Sequence, residues 1–216
     1  MFRVITLERE YGCGAGGIGA ELARRLGWKL WDQNLTAEIA TRAKVDPSAV
    51  ALCDERMDSR LYRLAKVFWR GSYERTLPLA DSRAFDTDRM VAMMEQIMRG
   101  IAEHGNAVIV GRGSPYFLRA REDTFRVFAY APFDEKIRRL LELGKSEAEA
   151  RELVEEVDKE RIAYVKHYFG ADWPTRSLYH MMINTGMGDE LVIEIILSNM
   201  RLLESHGMEP ALRGVL

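Results

Sequence analysis

Phe2–Leu26 reads FRVITLEREYGCGAGGIGAELARRL. An apolar run, Val4-Ile5-Thr6-Leu7, leads to Gly12-Cys13-Gly14-Ala15-Gly16-Gly17, which opens into the apolar-periodic segment Ile18–Leu26. Strand, glycine loop and helix in this order form a construction that holds phosphate. Glycines let bare backbone N–H groups face inward, and the helix N-terminus adds partial positive charge. The stretch therefore predicts a strand over Phe2–Leu7 and a helix over Ile18–Leu26, closed by Gly27 as a C-cap.

Two frames fit the glycines. Gly12-x-Gly14-x-x-Gly17 and Gly14-x-Gly16-x-x-Gly19 both satisfy a dinucleotide-binding pattern. Asp32 then stands about twenty residues on, where a ribose-binding acid belongs. Against this, Glu8–Tyr11 separate the expected strand from the first glycine, and a glycine-dense stretch meets many glycine patterns by accident. The eight-residue P-loop frame fits on Arg9-Glu10-Tyr11-Gly12-Cys13-Gly14-Ala15-Gly16. Arg9 takes the first glycine position, Ala15 the lysine position and Gly16 the Ser/Thr position. A backbone cradle survives without the phosphate-bridging cation and the Mg²⁺-binding hydroxyl. A phosphate-holding P-loop, a dinucleotide turn and a glycine loop without ligand all stay open at this level.

The chain has 216 residues, 47% hydrophobic and 30% charged, with a formal net charge of −2. That is the composition of an ordinary globular protein, and nothing in the balance points to nucleic acid or an anionic membrane. Cys13 and Cys53 are too few for a disulfide framework. No apolar run approaches the ~18 residues of a membrane span, and a strand rather than a signal peptide is expected at the N-terminus. A cytoplasmic protein is expected.

Further along, Trp28–Trp31 reads as a second strand with Asp32 at its carboxyl end. Leu35–Ala43, a start at Asp46-Pro47 and Leu61–Trp69 read as helices, with weak periodicity over Gly71–Phe85. A long helix is predicted from Asp86 or Thr87 to about His104, then strands at Ala107–Val110 and Arg126–Ala131. Ser146-Glu147-Ala148-Glu149 is a capping box for a charged helix reaching Tyr168. His180–Asn184 reads as a last strand, and Asp189–Ser205 as a closing helix before Gly207 and a frayed tail. Alternating strands and helices predict a three-layer α/β/α parallel sheet, with ligands at the carboxyl ends of its strands. Leu7, Asp32, Arg112 and Ala131 fall there.

Glu8-Arg9-Glu10-Tyr11-Gly12-Cys13-Gly14 resembles the "REYGSGG" opening of the cytidylate kinase-like family, a branch of the P-loop nucleoside monophosphate kinases. Trp31-Asp32-Gln33 is similar to its "YDR" element, and Val110-Gly111-Arg112-Gly113 to its "VGRG". Val127–Pro132 with Arg138-Arg139 resembles the strand and basic helix ahead of the lid. Asp158-Lys159-Glu160-Arg161 with Tyr164, Lys166, Tyr168-Phe169-Gly170 and Asp172-Trp173 resembles the lid region, and Ile183-Asn184-Thr185 the strand behind the adenine site.

The resemblance implies a P-loop kinase-like domain over 1–216. Within it, 44–86 would be a helical monophosphate-binding insertion and 144–180 a lid-like region. It implies ATP and Mg²⁺ as cofactors, and transfer of a phosphoryl group to a nucleoside monophosphate of cytidylate type. Arg9, Gly12, Cys13, Gly14, Ala15, Gly16 and Gly17 would form the phosphate loop. Asp32 and Arg112 would face the monophosphate, and Asp32 or Asp158 would orient the metal through water. Arg112, Asp158 and Arg161 would be catalytic, and Lys159, Lys166 and Arg176 would be lid cations. Many family members carry Arg and Glu at Gly16 and Gly17, and a cytidylate kinase also carries an Asp at Gly113 and a lid arginine at Val154; this chain does not.

Several residues keep a plainer reading beside the functional one. Arg138 and Arg139 suit a solvated helix face, and Cys13 suits a small residue in a loop rather than a reactive thiol. Met90, Met93, Met94 and Met98 fall at helical spacing and read as core, and Trp69 and Tyr73 read as packing between helices. His104, His167, His180 and His206 have no metal-ligand spacing. Two functions follow: a nucleoside monophosphate kinase, or a nucleotide-binding sensor or partner-binding protein of the same fold with weak or lost turnover.

Overall fold

The computed structural model describes residues 1–32 and 87–206. The helices expected at Leu35–Ala43, Asp46-Pro47 and Leu61–Trp69 lie outside the described residues. So do the stretch Gly71–Phe85, the insertion 44–86, Gln33, Cys53, Trp69, Tyr73, the Met90 side chain and the tail from Gly207.

The strands are β1 (Val4–Arg9), β2 (Lys29–Trp31), β3 (Ala107–Val110), β4 (Thr124–Tyr130) and β5 (Met181–Asn184). The helices are α1 (Ala15–Leu26), α2 (Thr87–His104), α3 (Ser114–Phe117), α4 (Phe133–Glu142), α5 (Glu147–Phe169) and α6 (Asp189–His206). Every pairing is parallel, and the order is β2-β3-β1-β4-β5. The central strand β1 is where the order reverses direction, so the loop after it opens at the switch point that binds ligands in such sheets.

Alternation along the strands divides the core. Ile5 and Leu7 of β1 join Val108, Val110, Phe125 and Val127 beneath α1 and α6. Val4, Ile109 and Phe128 face the other way, onto α2 and the end of α5. Helices thus cover both faces, as the apolar strands require. A third cluster joins Tyr11 and α4 to Ala150, Val154 and Val157 of α5. Among the described residues no helix is long and apolar enough to cross a membrane.

Two boundaries differ from the sequence reading in ways that matter for the loop. First, β1 continues through Glu8 and Arg9, which pair with Phe128 and Ala129 of β4. The apolar run ends at Leu7, but the two charges lie buried beside each other and the ladder continues. Second, α1 begins at Ala15, three residues before Ile18. Glycines conceal a helix start because their intrinsic propensity is poor. Gly19 serves packing: a Cβ there would lie 2.7 Å from Val110 Cγ2. The expected ends at Gly27 and Ser146 hold: Gly27 caps α1 at φ 65°, and Ser146 Oγ accepts from the Glu149 N–H.

Candidate phosphate-binding site

Residues 10–14 connect β1 to α1. Gly12 and Gly14 adopt φ of 76° and 79°, the left-handed region that costs a side-chain-bearing residue about 1–2 kcal/mol. Crowding adds to the requirement at Gly14, where a Cβ would sit 1.7 Å from Arg139 Nη1. The Arg139 guanidinium donates to the carbonyls of Cys13 (2.8 Å) and Thr185 (3.0 Å) and pairs with Asp189 (2.9 Å). Thr185 Oγ1 donates to the Cys13 carbonyl as well, at 2.7 Å. So α4 and the turn after β5 clamp the middle of the loop. Arg138 does keep to a solvated face, pairing with Glu135 and Glu142; Arg139 does not, and this corrects the expectation for it.

Cys13 is a buried packing residue. Its thiol donates to the Ala129 carbonyl at 3.6 Å, and burial pushes its pKa up to about 11. The alternative of a reactive thiol at the helix N-terminus is therefore corrected: desolvation outweighs the helix. The start of α1 is open by contrast. No side chain caps it, and no acid lies in its first turn. Its first N–H groups have no intrahelical partner. Gly17 is exposed with open space where a Cβ would be.

A buried charged cluster lies beside this loop, at the carboxyl ends of β1, β2 and β3. It contains Glu8 (4% exposed), Arg9 (5%), Asp32 (3%) and Arg112 (7%). Gly111, Arg112 and Gly113 have φ of 67°, 58° and 68°. Three successive left-handed residues, one of them an arginine, form a strained turn of the kind that surrounding structure must hold. Burial lowers the Arg112 pKa to about 10; Asp32 opposes the shift and Arg9 adds to it. Arg112 still remains a cation at neutral pH. Arg9 packs against Gly111, where a Cβ would lie 1.4 Å from its Nη1. Burial lowers the Arg9 pKa also, helped by Arg161 and opposed by Glu8 and Asp32.

Behind the loop, Arg161 Nη1 donates to the Arg9 carbonyl at 2.8 Å and to Asp158 Oδ1 at 2.9 Å. That same Oδ1 accepts the Tyr11 N–H at 2.9 Å. Lys136 reaches Glu10 at 2.5 Å and Asp158 at 3.7 Å. Burial raises the Asp158 pKa, against the pull of Arg161, the Tyr11 N–H and Lys136. The expected catalytic pair Asp158–Arg161 is thus bonded to the loop backbone. Within the stretch expected to be lid-like, α5 packs one face inward: Ala150, Val154, Val157, Arg161, Tyr164 and Val165 are buried. Of the expected lid cations, Lys159 pairs with Glu156 and Lys166 with Asp172 on the surface, and Arg176 is exposed on the turn Arg176–Leu178. The structure brings Arg9, Asp32 and Arg112 together beside the loop and leaves these three apart.

The sequence reading missed Lys136 and gave Glu8, Glu10 and Thr185 no role of their own beyond the stretches that contain them. Glu8 accepts the Gly113 N–H at 3.3 Å and the Arg9 N–H at 3.2 Å, tying β1 to the strained turn. An acid and a base directly after an apolar β-run were the available signal. Lys136 carried none, since it sits among charges on an amphipathic helix.

The loop suits a phosphate chain: an uncapped helix start, an open Gly17 and neighbouring cations. The donors for Mg²⁺ are less complete. Among the described residues no group of three or more His, Cys, Asp or Glu converges as a metal site, and Asp32 is engaged electrostatically with Arg9 and Arg112. A family model described as the cytidylate kinase-like family matches residues 4–187. The chain belongs to the cytidylate kinase-like family.

Solved structures agree on the fold. An uncharacterized protein from Eubacterium ventriosum ATCC 27560 matches with a TM-score of 0.62 at 19% identity, over 90% of this chain and 98% of that one. Shikimate kinase from Acinetobacter baumannii, solved in complex with shikimate, matches with a TM-score of 0.51 at 16% identity, over 97% of each chain. No curated protein matches the chain. Within this cytidylate kinase-like fold, the surroundings of Gly113 and Val154 fit the residues present better than the Asp and Arg expected there of a cytidylate kinase. At Gly113 a Cβ would lie 3.2 Å from Phe169 Cε2 at a left-handed φ, which disfavours an acid. Val154 is 5% exposed in the cluster with Tyr11 and Ile137, where a cation would be desolvated.

Proposed function

We propose that this protein is a nucleoside monophosphate kinase of cytidylate type, which moves the terminal phosphoryl group of ATP to a monophosphate. The observation that carries this reading is the convergence of Arg9, Asp32 and Arg112 at the strand ends beside the uncapped glycine loop. In the transfer, the bond from the terminal phosphorus to its bridging oxygen breaks and leaves ADP. A new bond forms to an oxygen of the acceptor monophosphate. Such transfers depend on positioning and charge neutralisation more than on covalent partners. The first-turn N–H groups of α1 hold the phosphate chain, Arg112 faces the monophosphate, and Asp32 orients Arg112. Asp158 and Arg161 act as positioning residues through the backbone of Arg9 and Tyr11. Mg²⁺ carried on ATP would share the charge of the phosphate chain.

On this reading residues 1–216 form one kinase-like domain, with 44–86 completing the monophosphate site and choosing the base. Its partners are the two nucleotides, and its compartment is the cytoplasm. The test is ATP-dependent phosphorylation across CMP, dCMP, UMP, AMP and GMP with Mg²⁺. Transfer to a cytidine nucleotide in preference to the others supports the reading. Absence of transfer to all five overturns it. A second reading, a nucleotide-binding protein with weak or lost turnover, is favoured by one observation: Ala15 and Gly16 stand where a loop lysine and hydroxyl would be. Nucleotide binding without transfer would select it.

A further inference from the structure

We infer that Arg9 is a phosphate-contacting residue that supplies, from the end of β1, the cationic contact that Ala15 cannot supply from α1. The inference rests on the proposed nucleotide site and assigns one contact within it. Arg9 is 5% exposed, so its guanidinium has given up most of its water. A guanidinium has five donors, and a buried one is expected to use them. Yet among the described residues this guanidinium donates no hydrogen bond. Its ion pair with Glu8 stands at 3.7 Å, beyond hydrogen-bond range. The desolvation of Arg9 is offset electrostatically by Glu8 and Asp32, while its N–H donors are left open to a further partner.

A structural counter-ion would be expected to behave otherwise. An arginine serving only to neutralise Glu8 would close to a short, forked contact, the geometry carboxylates favour. Arg121 does so with Asp123, at 2.9 and 2.7 Å. Arg9 is instead held short of its acid from three sides. Its carbonyl is fixed by Arg161 at 2.8 Å, its backbone is paired into the sheet beside Ala129, and its Nη1 fills the space left by the missing side chain of Gly111. Two more cations, Arg161 and Arg112, are near enough to interact with it electrostatically. Donors left unused among two cations and two carboxylates, none of which closes a hydrogen bond on them, beside an uncapped helix start, fit a ligand that is an anion with several oxygens. The phosphate chain of a nucleotide has that chemistry.

The test uses the full-length protein and inorganic tripolyphosphate, with affinity measured by calorimetry and folding checked by circular dichroism. Wild type is expected to bind, Arg9→Ala to bind at least about tenfold more weakly, as for loss of a hydrogen bond to a charged group, and Arg9→Lys to keep part of the affinity. Gly111→Ala keeps every charge but displaces Nη1, and is expected to lose affinity as Arg9→Ala does. Should Arg9→Ala fail to fold, Arg9→Lys and Gly111→Ala decide the matter. Wild-type affinity in Arg9→Ala, or in a folded Gly111→Ala, overturns the inference, as does a wild type that does not bind tripolyphosphate. The kinase reading is judged separately. Arg9-dependent binding without transfer to any monophosphate sinks the kinase reading and leaves this one, whereas transfer that Arg9→Ala leaves unchanged does the reverse.

Discussion

Arg161 Nη1 donates to the main-chain carbonyl of Arg9 across 2.8 Å, joining the middle of α5 to the last residue of β1. Asp158, one turn earlier, accepts from Arg161 and from the Tyr11 N–H. A helix of the stretch expected to be lid-like thereby takes part in shaping the loop. Removing Arg161 leaves Asp158 buried with one cation fewer. Arg161→Ala is predicted to lower unfolding free energy by about 3–5 kcal/mol, the usual cost of breaking a buried pair. Urea denaturation measures this; a loss below 1 kcal/mol would mean that α5 does not brace the loop.

The loop glycines are predicted to separate by cause. Gly14→Ala meets both φ 79° and Arg139 Nη1 at 1.7 Å, and should destabilise by more than about 1 kcal/mol. Gly17→Ala lies in the first turns of α1 with open space around it, and should be neutral or stabilising by up to about 1 kcal/mol. Thermal melts of the two variants give the comparison. Equal losses would contradict the described loop.

Cys13 is predicted to impose an alkaline limit. Its folded pKa of about 11 lies above the ordinary thiol value of 9.0, so the folded state holds its proton longer than the unfolded state. Stability on this account is flat below pH 9 and falls between about 9 and 11, by about 1.4 kcal/mol per pH unit. Stability against pH, compared with that of Cys13→Ala, isolates the contribution. The variant should lose this part of the alkaline slope, and identical slopes would refute the assignment.

Introducing an acid at Gly113 is predicted not to help. Gly113→Asp places a Cβ at φ 68° and 3.2 Å from Phe169 Cε2. The backbone conformation alone should cost about 1–2 kcal/mol. A variant as stable as wild type in denaturant would show that the turn is not strained as described.

The surface cations of α5 are predicted to be passive. Lys159→Ala and Lys166→Ala remove exposed pairs with Glu156 and Asp172, which are worth about 0–1 kcal/mol. Phosphoryl transfer by either variant should match wild type. A tenfold loss of turnover in either would favour the reading of these residues as lid cations.

Much of the fold was legible because the apolar strands announce themselves. Ala107–Val110 is buried at every position, and Ser146 with Glu149 marks a helix start that the backbone follows. Glycine and charge concealed the remainder. Gly16 and Gly17 hid the first turn of α1, and Glu8 with Arg9 hid the last two residues of β1, since a local pattern carries no sign that two charges will be buried together. Asp32, Arg112 and the loop could be named from strand ends. Arg139 and Lys136 could not, because each looks like any cation on an amphipathic helix. Their roles come from α4 packing against the loop, a tertiary fact.

The most direct test of the central claim is the transfer rate of Arg112→Ala, measured with ATP, Mg²⁺ and the best monophosphate acceptor, beside a fold-checked wild type. Arg112 sits at the strained turn next to Arg9 and Asp32. Loss of a preorganised charge-stabilising donor should lower turnover by about 10²–10³-fold. Turnover within a few-fold of wild type would contradict the account and move the site away from the ends of β1 and β3.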